Sequence, residues 1–317
     1  MYKKIIILAL VSCGLLLAGV WRMAQHPAGP GDLEWRALVK EKGWAATADL
    51  GGYRLFYLEG GQGPPVLLLH GYGDSSYSWH RNFQPLIEAG FRVLALDLPG
   101  LGASEVPPGF DFTVESLAAQ IMAFLDHQGL SQVHLIGNSL GGNLSLYLAY
   151  HHPDRVGKIV PVCPAAYFDR RRAFRAALIK LPFLAEAIKP FFGPWSVRLF
   201  LRKCFFDPEL VTEAVVSQRA QPFQRPDLMV NLVKLARNYF SAGFIDLSRN
   251  YKALTTPALL VWGSHDRVID TDRFAGRLHG DLPGSRLVII DRAGHVPHEE
   301  RPEVFNDLVI RFLREGD

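Results

Sequence analysis

The sequence predicts an α/β fold, a mostly parallel sheet flanked by helices on both faces, with a helical cap inserted into its second half. Three observations predict it. Short apolar runs, among them Leu67-Leu68-Leu69, Val133-His134-Leu135-Ile136, Ala258-Leu259-Leu260-Val261-Trp262 and Leu287-Val288-Ile289-Ile290, alternate with helix-length segments. That is the pattern of strands covered on both faces by crossover helices. Each run opens into a turn or loop carrying glycine, an acid or a histidine. Between residues 167 and 250 the alternation stops, and helical stretches are divided by Pro182, Pro190, Pro194, Pro208, Pro222 and Pro226, because proline ends helices.

The organisation expected is a membrane anchor or signal segment at 1–25, a linker at 26–43, a core made of 44–166 and 251–317, and a cap at 167–250. A chain of 317 residues, 49% hydrophobic, can bury one large core. A formal charge of +3 gives no argument for nucleic acid as a partner.

At the N-terminus, residues 5–21 carry no charge, follow Lys3 and Lys4, and precede Arg22 and a Pro/Gly stretch at 27–31. This reads as a segment that engages a membrane, and the leading lysines favour a catalytic domain outside the cytoplasm, periplasmic if the source is bacterial. Leu10-Val11-Ser12-Cys13 also resembles a lipoprotein cleavage box, which leaves a lipidated or secreted form open. Of the other cysteines, Cys163 ends an apolar strand, where buried free thiols are common, and a bridge to Cys204 is not expected.

Along the core, Leu67-Leu68-Leu69-His70-Gly71-Tyr72-Gly73 reads as a strand ending in a turn that presents the Tyr72 backbone N–H. Gly137-Asn138-Ser139-Leu140-Gly141 then follows one strand and opens a helix. Glycines flank the serine because the turn leaves no room for a side chain, and the serine oxygen is pushed out of the sheet at a helix N-terminus. The Leu140 N–H would complete an oxyanion hole with that of Tyr72. Asp266 follows the strand ending at Gly263, and Gly294-His295 follows the strand ending at Ile290. The expected roles are Ser139 as nucleophile, His295 as base and Asp266 as the acid that orients it. His70 reads as a loop-holding histidine, His265 and His298 as exposed loop histidines, Asp97 as a turn stabiliser, and Asp270 and Asp291 as weaker rivals of Asp266. The steps need no metal or organic cofactor.

The order Ser139, Asp266, His295, with the loop Asp97-Leu98-Pro99-Gly100-Leu101-Gly102-Ala103-Ser104, resembles the α/β-hydrolase-fold serine hydrolases from about Trp44 to the C-terminus. Val162-Cys163-Pro164-Ala165, Trp262-Gly263 with Asp266 and Val268, and Gly294-His295 with Glu300-Arg301-Pro302 resemble most the membrane-anchored monoacylglycerol lipases and related bacterial lipases. That likeness implies a helical cap.

The first half of the cap is basic and aromatic, with Arg170, Arg171, Arg172, Arg175, Lys180, Lys189, Arg198, Arg202 and Lys203 among Phe174, Phe183, Phe191, Phe192, Trp195, Phe200, Phe205 and Phe206. It suits either an anionic bilayer or an ordinary buried cap interior. Together with the anchor it implies a lipid partner: the expected substrate is a carboxylic ester with an apolar acyl chain, such as a monoacylglycerol. Two alternatives stand beside it. Gly137-Asn138-Ser139 also resembles carbon–carbon bond hydrolases of ring-fission products, although these carry Trp after the catalytic His where this chain has Val296. A non-catalytic ligand-binding member of the fold is the other.

Overall fold

The computed structural model describes residues 30–167, 193–239 and 242–315. In chain order the elements are α1 (Pro30–Glu41), β1 (Ala45–Asp49), β2 (Arg54–Gly60), β3 (Pro65–Leu69), α2 (Phe83–Glu88), β4 (Arg92–Leu96), α3 (Val114–His127), β5 (Val133–Asn138), α4 (Leu140–His151) and β6 (Val156–Val162). There follow α5 (Pro194–Cys204), α6 (Glu213–Ala220), α7 (Leu228–Asn238), α8 (Ala242–Asn250), β7 (Leu259–Gly263), α9 (Thr271–Asp281), β8 (Arg286–Ile290), α10 (Pro297–Glu300) and α11 (Pro302–Arg314).

One eight-stranded sheet runs in the order β1-β2-β4-β3-β5-β6-β7-β8. The β1–β2 and β2–β4 pairs are antiparallel and the rest parallel, so the expected fold class is the one observed. Every residue of β7 and all but the first of β3 are buried, as strands with helices on both faces require. Register then places the site. Leu69 pairs with Gly137, Asn138 with Val162 and Gly263 with Ile290, so the carboxyl ends of β3, β5, β6, β7 and β8 line up along one edge of the sheet. Loops leaving that edge carry His70, Ser139, Cys163, Asp266 and His295.

Helix ends follow local chemistry. The Thr113 hydroxyl accepts from the Ser116 N–H at the start of α3, and Gly129 closes it in the left-handed region. In α11, Phe305, Val309, Phe312 and Leu313 face the core while Arg311 and Arg314 face outward. α4 is buried from Leu140 to Ala149, because it lies close against the sheet. A Cβ on Gly137 would stand 2.2 Å from the Gly141 carbonyl oxygen, and one on Gly141 would stand 2.1 Å from that of Leu69. Both contacts are with backbone, so a side chain at either position forces helix and sheet apart.

Two expectations change at the N-terminus. Residues 30–41 of the expected linker form α1, because Trp35 and Val39, four apart on one helix face, pack on the core; Trp35 meets Trp44, His80 and Phe83 with ring centroids 6.1, 6.2 and 6.5 Å away. The Arg36 guanidinium also donates to Gln218 and Gln221. The expected anchor at 1–25 and cap residues 168–192 lie outside the described residues, and among the described residues no helix is long and apolar enough to cross a membrane. The membrane-anchored, extracytoplasmic placement finds no support among the described residues and is not carried forward.

Gly141→Ala should lower the thermal midpoint by several degrees, since overpacking against backbone costs about 1–3 kcal/mol. A calorimetric scan beside the wild type checks this, and an unchanged midpoint contradicts the close approach of α4 to β3.

Candidate active site

Ser139 alone makes the turn between β5 and α4. Its φ of 53° and ψ of −106° fall outside the regions L-residues favour. Three backbone hydrogen bonds hold that conformation: the Ser139 N–H donates to the Val162 carbonyl at 2.8 Å, and the Ser139 carbonyl accepts from the N–H groups of Asn143 at 3.1 Å and Ala165 at 3.0 Å. Leu140, at the first helical position, has an N–H with no acceptor inside its own helix, at the positive end of the dipole. The chain leaving β3 passes beside it, for a Cβ on Gly71 would stand 3.5 Å from the Ser139 Cβ. Tyr72 comes next, and its hydroxyl donates to the Leu232 carbonyl at 2.9 Å, joining this loop to α7.

Asp266 and His295 meet directly. The Asp266 Oδ1 accepts from the N–H groups of Val268 at 2.7 Å and Ile269 at 2.8 Å, while Oδ2 lies 2.8 Å from His295 Nδ1. Both residues are buried. With Nδ1 committed to the carboxylate, Nε2 is the ring nitrogen available to take a proton. Asn138 ties this loop to the serine turn: its Nδ2 donates to the His295 carbonyl at 3.0 Å and to that of Val162 at 3.3 Å. The structure thus brings Ser139 beside the His295 loop, with no hydrogen bond between hydroxyl and imidazole in this conformation.

The neighbouring titratable groups have other work. His70 Nδ1 lies 2.8 Å from the Gly71 carbonyl and its Nε2 accepts from the Leu98 N–H at 2.9 Å, so a neutral ring braces the loop. Asp97 accepts from the N–H groups of Ser76 at 2.6 Å and Ala103 at 2.7 Å, which makes it a turn stabiliser. Asp270 caps α9 by accepting from the Arg273 N–H, and Asp291 accepts from the Ser264 hydroxyl at 3.3 Å. His265 is exposed. His298 differs from expectation: it is fully buried, with its ring centroid 4.4 Å from that of Trp79. The short helix α10 folds it inward, and burial holds its pKa well below the usual histidine range.

Four groups of this region, Arg219, Asp74, Glu299 and Ser78, lie beyond sequence reasoning. Arg219 on α6 is buried between two carboxylates, with Nε 3.2 Å from Asp74 Oδ2 and Nη2 2.5 Å from Glu299 Oε1. Ser78 Oγ stands 3.3 Å from Glu299 Oε1 and 3.1 Å from His298 Nε2. Burial pushes the Glu299 carboxyl up to about 7, against the pull of Arg219. Arg219 Nη1 is buried without a partner among the described residues. No motif announces this cluster, because its members meet only through tertiary packing.

Among the described residues, the atoms able to hold a metal converge at Cys163, Asp266 and His295, all within 4.8 Å of one another. They are already engaged: Asp266 holds His295, and burial pushes the Cys163 thiol well up, keeping its proton.

The raised Glu299 pKa fixes a sign. Its folded pKa exceeds its unfolded one, so its contribution is whole below about pH 4.5 and is lost as pH rises through about 7. Glu299→Gln should therefore gain thermal stability relative to wild type as pH climbs from 5 to 8; a constant difference across that range contradicts the assignment.

Comparison with known proteins bears on the chemistry. The alpha/beta hydrolase fold family matches over residues 64–302. The uncharacterized hydrolase YugF of Bacillus subtilis is 30% identical over 249 residues, covering 78% of this chain and 89% of its own. A 2-hydroxy-6-oxo-6-phenylhexa-2,4-dienoate hydrolase of Burkholderia cepacia is 28% identical over 288 residues, covering 88% and 95%. The solved structure of the hydrolase so named from Rhodococcus sp. strain RHA1 matches with a TM-score of 0.70 at 25% identity, covering 85% and 98%. These findings correct the expected monoacylglycerol lipase likeness and the expected lipid-ester activity. Two of the residues that carried that likeness, Gly263 and Gly294, serve loop packing: a Cβ on Gly263 would stand 2.0 Å from the Gly294 carbonyl oxygen, a constraint indifferent to substrate. The chain belongs to the alpha/beta hydrolase fold family, and it is a hydrolase of that fold.

Proposed function

We propose that the protein hydrolyses a carbon–carbon bond in a 2-hydroxy-6-oxodienoate, with Ser139 as nucleophile, His295 as base, Asp266 as its orienting acid, and the Tyr72 and Leu140 N–H groups as oxyanion donors. One observation carries the reading. A strained serine at a helix N-terminus stands beside the loop of a buried Asp–His pair, in a chain whose near full-length relatives bear that activity in their names.

The chemistry balances with water alone. Ketonisation of the 2-hydroxydiene puts a proton on C5, making the C5 fragment a leaving group conjugated to the new C2 carbonyl. His295 takes the Ser139 proton as Oγ attacks the C6 ketone, and the tetrahedral oxyanion lies against the two N–H groups. Collapse breaks C5–C6, its electron pair passing into a dienolate that the imidazolium protonates. Water, activated by the same imidazole, then releases C6 from the serine as a carboxylic acid. The products are that acid and a five-carbon 2-hydroxydienoate.

Val296 departs from the bulky ring expected beside the base in such enzymes. Here it belongs to the smaller apolar cluster with Val197, Leu201 and Phe205.

The experiment is turnover of 2-hydroxy-6-oxo-6-phenylhexa-2,4-dienoate by the purified full chain. The conjugated chromophore should decay with release of one benzoate per substrate, and Ser139→Ala should lower kcat/KM by about 1,000-fold or more. No decay with wild type sinks the substrate class. Undiminished decay with the variant sinks the nucleophile.

A further inference from the structure

We propose that Glu300 is a positioning residue through which the cap segment at residues 204–207 sets the place of His295. The inference rests on the role proposed for His295 above.

The loop carrying the base is not held by the core alone. One buried carboxylate gathers N–H groups from both sides: Glu300 Oε1 accepts from Gly294 at 2.6 Å, while Oε2 accepts from Phe206 at 2.7 Å and Asp207 at 3.2 Å. The cap answers with an acceptor of its own, for the His295 N–H donates to the Cys204 carbonyl at 2.6 Å. Contact between the two strands of chain is close enough to demand glycine, since a Cβ on Gly294 would stand 2.2 Å from the Cys204 carbonyl oxygen. On the opposite side Gly263 abuts the same loop. Val296, directly after the base, is buried among the side chains of α5 and α6.

Residues 293–296 are therefore clamped between the end of β7 and the end of α5, and Glu300 is the charge-assisted link of the clamp. An arrangement in which α5 lifts away breaks the Cys204 bond and strands the Glu300 carboxylate, and the backbone that carries the imidazole loses its register. The cap thus reaches the base through its backbone. Helix α10, a single turn opened by Pro297, returns Glu300 to the Gly294 N–H from six residues downstream.

Glu300→Gln keeps the shape but turns an NH2 group toward N–H donors on one side of the clamp. The test is covalent labelling of Ser139 by a fluorophosphonate between pH 5 and 9. It needs the activated serine and not the dienoate, so it stands apart from the question of substrate class. In E300Q with a cooperative melt, the maximal labelling rate should fall tenfold or more. The acid limb of its profile should move to lower pH, because the imidazolium loses a nearby carboxylate. A lowered melting temperature with wild-type rate and profile overturns the proposal by making Glu300 a structural pin. Absence of labelling in wild type overturns the nucleophile assignment and this proposal with it. If E300Q does not melt cooperatively, Asp207→Pro carries the test: its φ of −91° is near that of proline, and it removes a cap N–H while leaving Glu300 and the base intact. There a threefold fall with the acid limb unmoved, since the Glu300 carboxylate stays, supports the proposal, and unchanged labelling overturns it.

Discussion

The approach of α4 to β5 and β3 is the constraint on which the site depends. Backbone comes so near backbone at Gly137 and Gly141 that neither position admits a Cβ, and the one residue left to reverse the chain takes a positive φ. Such a conformation costs about 1–3 kcal/mol. The three backbone hydrogen bonds at Ser139 offset it, and in return the serine and the Leu140 N–H are presented together at a helix N-terminus. Every other group reaches this point through strand register: a one-residue slip between β7 and β8 would separate the loops that bring Asp266 to His295.

Burial of charge organises the side of the site opposite the sheet. Asp74 leaves the loop after β3, Glu299 sits on α10 and Arg219 on α6. Desolvation is costly for all three, and the pair sum leaves one negative charge too many. The structure answers with a raised Glu299 pKa, while burial and the Arg219 charge keep His80 and His298 neutral, His80 being lowered to about 3. Such a cluster adds less to stability than to uniqueness of arrangement, because an α6 displaced from its place would strand an unpaired ion. It orients the helical segment relative to the core as the Glu300 clamp does on the other flank.

What the sequence made legible was local. Ser139, Asp266, His295 and the Tyr72 turn each follow an apolar run of strand length, with glycine where chain passes close to chain, and that grammar sits in adjacent residues. His298 was read as exposed because its neighbours look like a loop; only the fold shows α10 turning it against Trp79. α1 was taken for a linker on the strength of Pro27, Gly29, Pro30 and Gly31, yet Pro30 stands where a helix can begin and Trp35 supplies a buried face. Arg219 and Glu299 carry no sequence signal, since their partners lie on separate elements and no periodicity marks a long-range ion pair; Glu300 stands in a motif, but its cap partners Phe206 and Asp207 are visible only in the fold. The cap's first stretch, residues 168–192, lies outside the described residues, so its basic and aromatic pattern stays a sequence observation.

Substrate class was the least legible property, and the reason is physical. The serine turn is dictated by backbone geometry between strand and helix, whereas the side chains packed beside the site come from separate elements and single positions. Val296 illustrates this. It follows the base and belongs to the apolar cluster of α5 and α6, so its volume is balanced against cap packing as well as against a ligand. A larger ring there would need α5 to retreat, and α5 is tied to His295 through the Cys204 carbonyl. The packing around Val296 and the position of His295 are therefore coupled through α5 in this chain, and a motif that records only the histidine carries little information about the packing beside it.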